Sequence, residues 1–175
     1  MRIRAVIVPF VIGIALLVSA CTSASTNTHA SATPHNSANE SGFQAGPDPC
    51  RLITPHDIFA ALNQYMIKSA GSRSTCSYSN AQTTDTVSVT TAKMTTQGAE
   101  QAVASTASTV KVNVQHLGGV GDTAVAYLTT TKTRSIATCL IAKNGTFVFL
   151  LVSSPNAEHL MQEAIALAHK TASSI

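Results

Sequence analysis

"SIATCLIAKNGTFVFLLVSS", residues 135–154, reads as two strands folded back on a two-residue turn. Asn144 and Gly145 accept the positive φ angles that a tight hairpin turn demands, and the flanking residues are largely β-branched, aromatic or aliphatic. The two strands must therefore pair antiparallel. Phe147 to Val152 is apolar at consecutive positions, so both faces of the second strand are expected to be covered. That places it centrally in a sheet, under a helix.

Working outward, "TAVAYLTT" (123–130), "DTVSVTTAKM" (85–94) and "TCSYSN" (75–80) have strand character. In the second of these Val87, Val89 and Thr91 share one face, and the polar turn between Asn80 and Thr86 joins it to "TCSYSN" as a hairpin. "TVKVNVQHL" (109–117) alternates Val110, Val112 and Val114 against Lys111, Asn113 and Gln115, the pattern of a strand with one wet face. The glycines of "LGGVGDTAVAYL" (117–128) could suggest a phosphate cradle, but that fingerprint needs a helix after it, and here a strand pattern follows. Gly118, Gly119 and Gly121 are read as a turn, with Asp122 bonded to local backbone N–H groups.

Three helices are expected among these strands. Thr54, Pro55 and Asp57 form a capping box with proline at the first helical position, and Ile53 and Ile58 fit a hydrophobic staple. Ile58, Phe59, Leu62, Tyr65 and Met66 continue at helical spacing. "TQGAEQAVASTAS" (96–108) is a weaker helix with Ala99, Ala102, Val103 and Thr106 on one side, diluted by Gly, Ser and Thr. The last begins with Ser154 as cap and Pro155 as first residue, carries Leu160, Met161, Ala164, Ile165 and Ala168 on one stripe, and ends in His169 and Lys170. Together these predict a single α+β domain, an antiparallel sheet of about five or six strands with helices packed mainly on one face.

The first twenty residues differ from all this. Arg2 and Arg4 precede an apolar stretch from Ala5 to Val18, which is too short for a spanning helix and is interrupted by Pro9 and Gly13. It is read as a signal peptide over 1–20. It exits through "VSAC", which resembles a bacterial lipobox, and the resemblance implies that Cys21 receives a diacylglycerol and becomes the mature N-terminus. Several acyl chains on one residue hold firmly, because each buried methylene adds roughly 0.8 kcal/mol. The alternative is an ordinary secretory signal with a chance cysteine after it. Residues 21–47 are almost entirely Ser, Thr, Ala, Asn, Gly, Pro and His, a composition read as a tether, and 48–175 as the domain. Loss of Arg2 and Arg4 lowers the formal charge from +3 to +1, so nothing points to a nucleic-acid partner.

Candidate chemistry is sparse. His29 and His35 stand in the tether without further ligands, His56 and Asp57 are neighbours that diverge on a helix, and His159 with Glu163 lacks a third ligand. No metal or cofactor is expected, and no G-x-S-x-G or S-x-x-K motif supports a hydrolase. "DPCRLITPHDI" (48–58), "CSY" (76–78) and "LGGVGDTA" (117–124) are similar to a family of actinobacterial envelope lipoproteins with a domain of unknown function. The matched positions are Asp48, Pro49, Cys50, Leu52, Ile53, Thr54, Cys76, Tyr78, Gly119, Gly121, Asp122 and Ala124. Tyr78 stands where that family more often has Trp, and Cys139 lies outside its pattern. The resemblance supplies no catalytic residue.

Export to an oxidising compartment would leave Cys50, Cys76 and Cys139 able to form one bridge. Cys50 precedes the first helix and Cys76 begins the strand after it, so these two are the expected pair, with Cys139 a small buried hydrophobe. Pairing of Cys139 with either, or with a second chain, is the alternative. The function these features predict is a non-enzymatic envelope lipoprotein, lipid-anchored on the extracytoplasmic face of the cell membrane. Its domain would bind an envelope protein or a small hydrophobic ligand. In an envelope with an outer membrane, Thr22 is not the aspartate that retains a lipoprotein at the inner one. The alternatives are an accessory or sensor subunit of a membrane complex and, more remotely, a hydrolase.

Overall fold

The fold follows from strand pairing in the computed structural model, which describes residues 44–156 and 158–175. Its elements in chain order are β1 (Gln44–Ala45), α1 (Pro49–Leu52), α2 (Pro55–Leu62), β2 (Ile67–Gly71), β3 (Thr75–Ser79), β4 (Thr86–Lys93), α3 (Thr96–Thr109), β5 (Val114–His116), β6 (Thr123–Thr130), β7 (Ser135–Lys143), β8 (Thr146–Ser154) and α4 (Leu160–Ser173). All strand pairs are antiparallel, in the order β2-β3-β4-β8-β7-β6-β5, with β1 pairing the end of β4 beyond β3. The protein is thus mixed α+β, as expected, with an eight-stranded sheet rather than five or six strands. The additions are β1 and β2. Neither shows in the sequence, because β1 is two residues long and β2 is exposed at every position and so carries no apolar alternation.

The β7–β8 hairpin forms as predicted, with Asn144 at φ 51° and Gly145 at φ 70°. β8 is central, between β4 and β7. Its alternate residues enter two different cores. Val148, Leu150 and Val152 join Ala137, Cys139, Ile141, Val87 and Val89 beneath α1, α2 and α4. Phe147 and Phe149 pack with Val125, Tyr127, Leu140 and Ala142 against Ala99 and Val103 of α3. Three helices therefore cover one face and α3 the other. Each fully buried Ile, Leu or Val contributes about 1.5–3 kcal/mol, and the sheet carries such residues on both sides.

Local chemistry sets the helix boundaries. Thr54 and Asp57 close the capping box, with Thr54 N–H donating to Asp57 Oδ2 at 3.0 Å and Asp57 N–H to Thr54 Oγ1 at 3.3 Å. Ile53 and Ile58 are both fully buried, as a staple requires. The helix is shorter than its periodicity implied. Asn63 turns left-handed at φ 52° and its N–H donates to Phe59 O, ending α2 at Leu62, so Tyr65 lies outside the helix and Met66 reaches the core from a loop. In α3, hydroxyls donate back to carbonyls of their own helix, as Thr106 Oγ1 does to Ala102 O at 2.8 Å. Such bonds satisfy the hydroxyls within the helix but do not strengthen it, so its packing against the sheet must hold it. α3 also runs to Thr109, which leaves Val110 as its cap and Val112 exposed. The strand expected over 109–117 is only Val114–His116.

The last helix also starts later than expected. Ser154 stays in the β7–β8 ladder opposite Ser135, and its Oγ accepts the Asn156 N–H at 3.0 Å, so α4 begins only at Leu160 with His159 at φ 66° as its cap. Sheet pairing at Gln44 begins four residues before the boundary expected at Asp48, while Cys21 and most of the tether lie outside the described residues. Among the described residues no helix is long and apolar enough to cross a membrane.

Candidate functional site

The residues that carried the family resemblance converge on two structural junctions. At the first, Asp48 caps α1 by accepting the Cys50 N–H at 2.9 Å, and Cys50 is bonded to Cys76 of β3 with Cα atoms 5.2 Å apart. The expected bridge is the one present. Two residues along β3, Tyr78 is buried and its hydroxyl donates to Ile53 O at 2.6 Å. Burial, with Asp48 and Asp57 nearby, pushes the Tyr78 phenol above its ordinary 10.0, so it remains a donor. The α1–α2 segment is thus clipped to β3 by one covalent bond and one buried hydrogen bond.

The second junction overturns one expectation. Asp122 does not bond to its own turn; its Oδ2 accepts the N–H of Asn144, 22 residues away, at 2.8 Å, and its N–H donates to Ala142 O at 2.8 Å. The carboxylate latches the β5–β6 turn onto the tip of the β7–β8 hairpin. Gly121, at φ 66°, lets the two backbones approach, since a Cβ there would lie 2.5 Å from Ala142 O. The glycine-rich stretch is therefore a packing device, and the strand that follows it, β6, keeps the predicted 123–130.

Free cysteine and ionisable groups add little reactivity. Cys139 is unbridged and fully buried in the α4-side core, where burial pushes its thiol up to about 12, so it stays protonated. The Asp57 carboxylate is held below its ordinary 3.8: burial opposes this, but hydrogen bonds from Thr54 and the charge of Lys170, 3.4 Å away, outweigh it. His159 contacts Gln162 and Glu158 rather than forming a ligand pair with Glu163. No three His, Cys, Asp or Glu side chains gather at metal-ligand spacing among the described residues. Asp85, only 2% exposed, leaves Oδ1 without a hydrogen-bond partner. Glu163, in the first turn of α4, has its carboxyl raised by burial and by Asp85, with His159 opposing.

No family model, curated protein or solved structure matches the chain. Binding capacity must therefore be read from the surface itself, where three recesses among the described residues border α1, α2 or β2. An open groove of about 520 Å³ beside the bridge is lined by Asp48, Cys50, Lys68, Gly71 and Arg73. A smaller one of about 190 Å³ between α2 and α4 is lined by Ala60, Ala61, Leu167 and the Asp57–Lys170 pair. The third, about 380 Å³, is lined by Pro55, His56, Phe59 and Tyr65, and the Tyr65 ring stacks on Phe59 at 4.3 Å.

The third recess is the one the sequence hid. Phe59 and Tyr65 were expected together on a buried stripe, yet Tyr65 is 80% exposed and Ile67, two residues on, 70%. The signal that could have shown it is Asn63, a residue type that readily ends a helix in the left-handed conformation. Once α2 stops there, Tyr65 no longer follows the helical stripe.

Proposed function

We propose that the chain is an envelope lipoprotein, held on the extracytoplasmic face of a membrane by lipid on Cys21. Its α+β domain is then a non-catalytic binding module for an envelope protein or a small hydrophobic ligand. The observation that carries the reading is the cysteine of "VSAC" directly after a short, Arg-led apolar run. The Cys50–Cys76 bridge supports it, because such bonds persist in exported proteins and are rare in reducing compartments.

Within this proposal the resemblance to actinobacterial envelope lipoproteins acquires a physical sense. Its D-P-C, C-x-aromatic and G-x-G-D-x-A residues cap, bridge and latch the scaffold and do not line the Phe59–Tyr65 recess. A half-exposed aromatic cleft suits an apolar or amphipathic partner. The test is Cys21→Ala in the expressing cell. The reading predicts loss of the protein from washed membranes and altered processing of its precursor. A variant that still fractionates with membranes and is cleaved at the same place contradicts it.

A further inference from the structure

Among the described residues the largest exposed hydrophobic side chains lie together in sequence at one border of the sheet. Tyr65 and Ile67 are 80% and 70% exposed, and Ile67 opens β2, the edge strand, all five of whose residues are exposed. Leaving an aromatic and a branched aliphatic side chain in water forgoes the gain that burying each would bring. Phe59, half-buried beneath Tyr65, adds a second ring, and Pro55 extends the apolar wall.

The charges along this edge have one sign left over. Asp57 is paired with Lys170 and Asp48 with Arg51, whereas Lys68, in β2, and Arg73, two residues beyond its end, have no carboxylate partner among the described residues. An amphipathic Tyr with Phe and Ile, flanked by unpaired Lys and Arg, is the chemistry of a surface that sits at the headgroup level of an anionic bilayer.

We propose that the Tyr65–Arg73 edge docks the domain onto the anionic membrane that carries its lipid anchor. This rests on the Cys21 reading. The 23 residue steps from Cys21 to Gln44 span at most about 80 Å. That length keeps the domain within reach of the bilayer without itself fixing which face meets it. Confinement at that range raises the effective concentration of the membrane, so a patch too weak to bind as a free protein can still dock. Tyr65 and Phe59 then enter the interface, Ile67 the acyl boundary, and Lys68 and Arg73 the phosphates.

The chain contains no Trp, so Tyr65→Trp supplies a single reporter in the full lipidated protein. Val112→Trp, just before β5 at the opposite border of the sheet, is its control. Both are reconstituted in phosphatidylglycerol vesicles with brominated acyl chains, and flotation is read beside fluorescence. The proposal expects both variants to float, at least about twofold quenching of Tyr65→Trp with none of Val112→Trp, and loss of quenching in Tyr65→Trp carrying Lys68→Glu and Arg73→Glu. A floating Tyr65→Trp variant that is not quenched, or is quenched no more than Val112→Trp, overturns docking and leaves the anchor intact. A concentration-dependent blue shift without quenching assigns the edge to a second copy of the chain and also overturns it. Failure of either variant to float overturns the anchor and the docking together.

Discussion

Removing the bridge by Cys50→Ala with Cys76→Ala should be the most damaging change that leaves the apolar cores otherwise complete. The bond closes a loop of 26 positions, and the entropy of closing such a loop in the unfolded chain is about −12 cal/mol/K, or about 3.5 kcal/mol at 25 °C. A domain of about 130 residues has an unfolding entropy near 0.27 kcal/mol/K, so the midpoint should fall by about 13 °C. The loss should be felt first where the bond acts. α1 and the start of α2 would then be held by the core packing of Leu52 and Ile53 and by the Tyr78 hydrogen bond, without a covalent tie to β3. Urea titration of oxidised wild type against the double variant measures the difference. The bridged chain should also give the smaller m value, because its unfolded state is more compact. Cys139→Ala, buried but unbridged, is the control for lost sulfur packing. A bridge-free variant within about 1 kcal/mol of wild type would refute the loop-closure reasoning, as would free thiols on both Cys50 and Cys76 in the native protein.

Tyr78→Phe should cost about 1–3 kcal/mol, since it leaves the Ile53 carbonyl buried without its donor; chemical denaturation measures it. Gly119 and Gly121 both have positive φ, but only at Gly121 would a Cβ strike backbone. Gly119→Ala should therefore cost about 1 kcal/mol and Gly121→Ala clearly more, with equal losses counting against the latch described for Asp122. The folded state holds the Glu163 proton more tightly than the unfolded chain, so its carboxylate costs stability as pH rises through its ordinary 4.5. Glu163→Gln should accordingly raise the melting temperature at pH 7 and lose that advantage below pH 4.5. Asp57 has the opposite sign: its stabilisation is present above its ordinary 3.8 and is lost as pH falls through its lowered folded value, so Asp57→Asn should destabilise at neutral pH only.

What could be read from the sequence was whatever left a periodic or positional trace. The Asn144–Gly145 hairpin, the Thr54–Asp57 capping box and the strands 123–130 and 75–79 all depend on residues that act within a few positions of one another. Elements that depend on distant partners did not show. β2 exists because β3 offers it an edge, and Ser154 remains in the sheet because Ser135 stands opposite, although its sequence neighbourhood looks like a helix cap. Asp122 was taken for a local turn residue because nothing in its own segment reveals Asn144 as its donor. The bridge was legible from export and cysteine placement. The exposed aromatic cleft was not, because the apolar spacing of Phe59, Leu62, Tyr65 and Met66 continues across Asn63, where the backbone leaves the helix.

The central claim is that Cys21 is the lipidated N-terminus of the mature protein. No Lys or Arg lies between Cys21 and Arg51, so trypsin after reduction should release one peptide covering 21–51. Mass spectrometry of that peptide from membrane-isolated protein is the direct measurement. A peptide that begins at Cys21 and carries the mass of a thioether-linked diacylglycerol is the predicted result. An unmodified peptide beginning at Cys21 or Thr22, or one still joined to residues of the apolar leader, would contradict it.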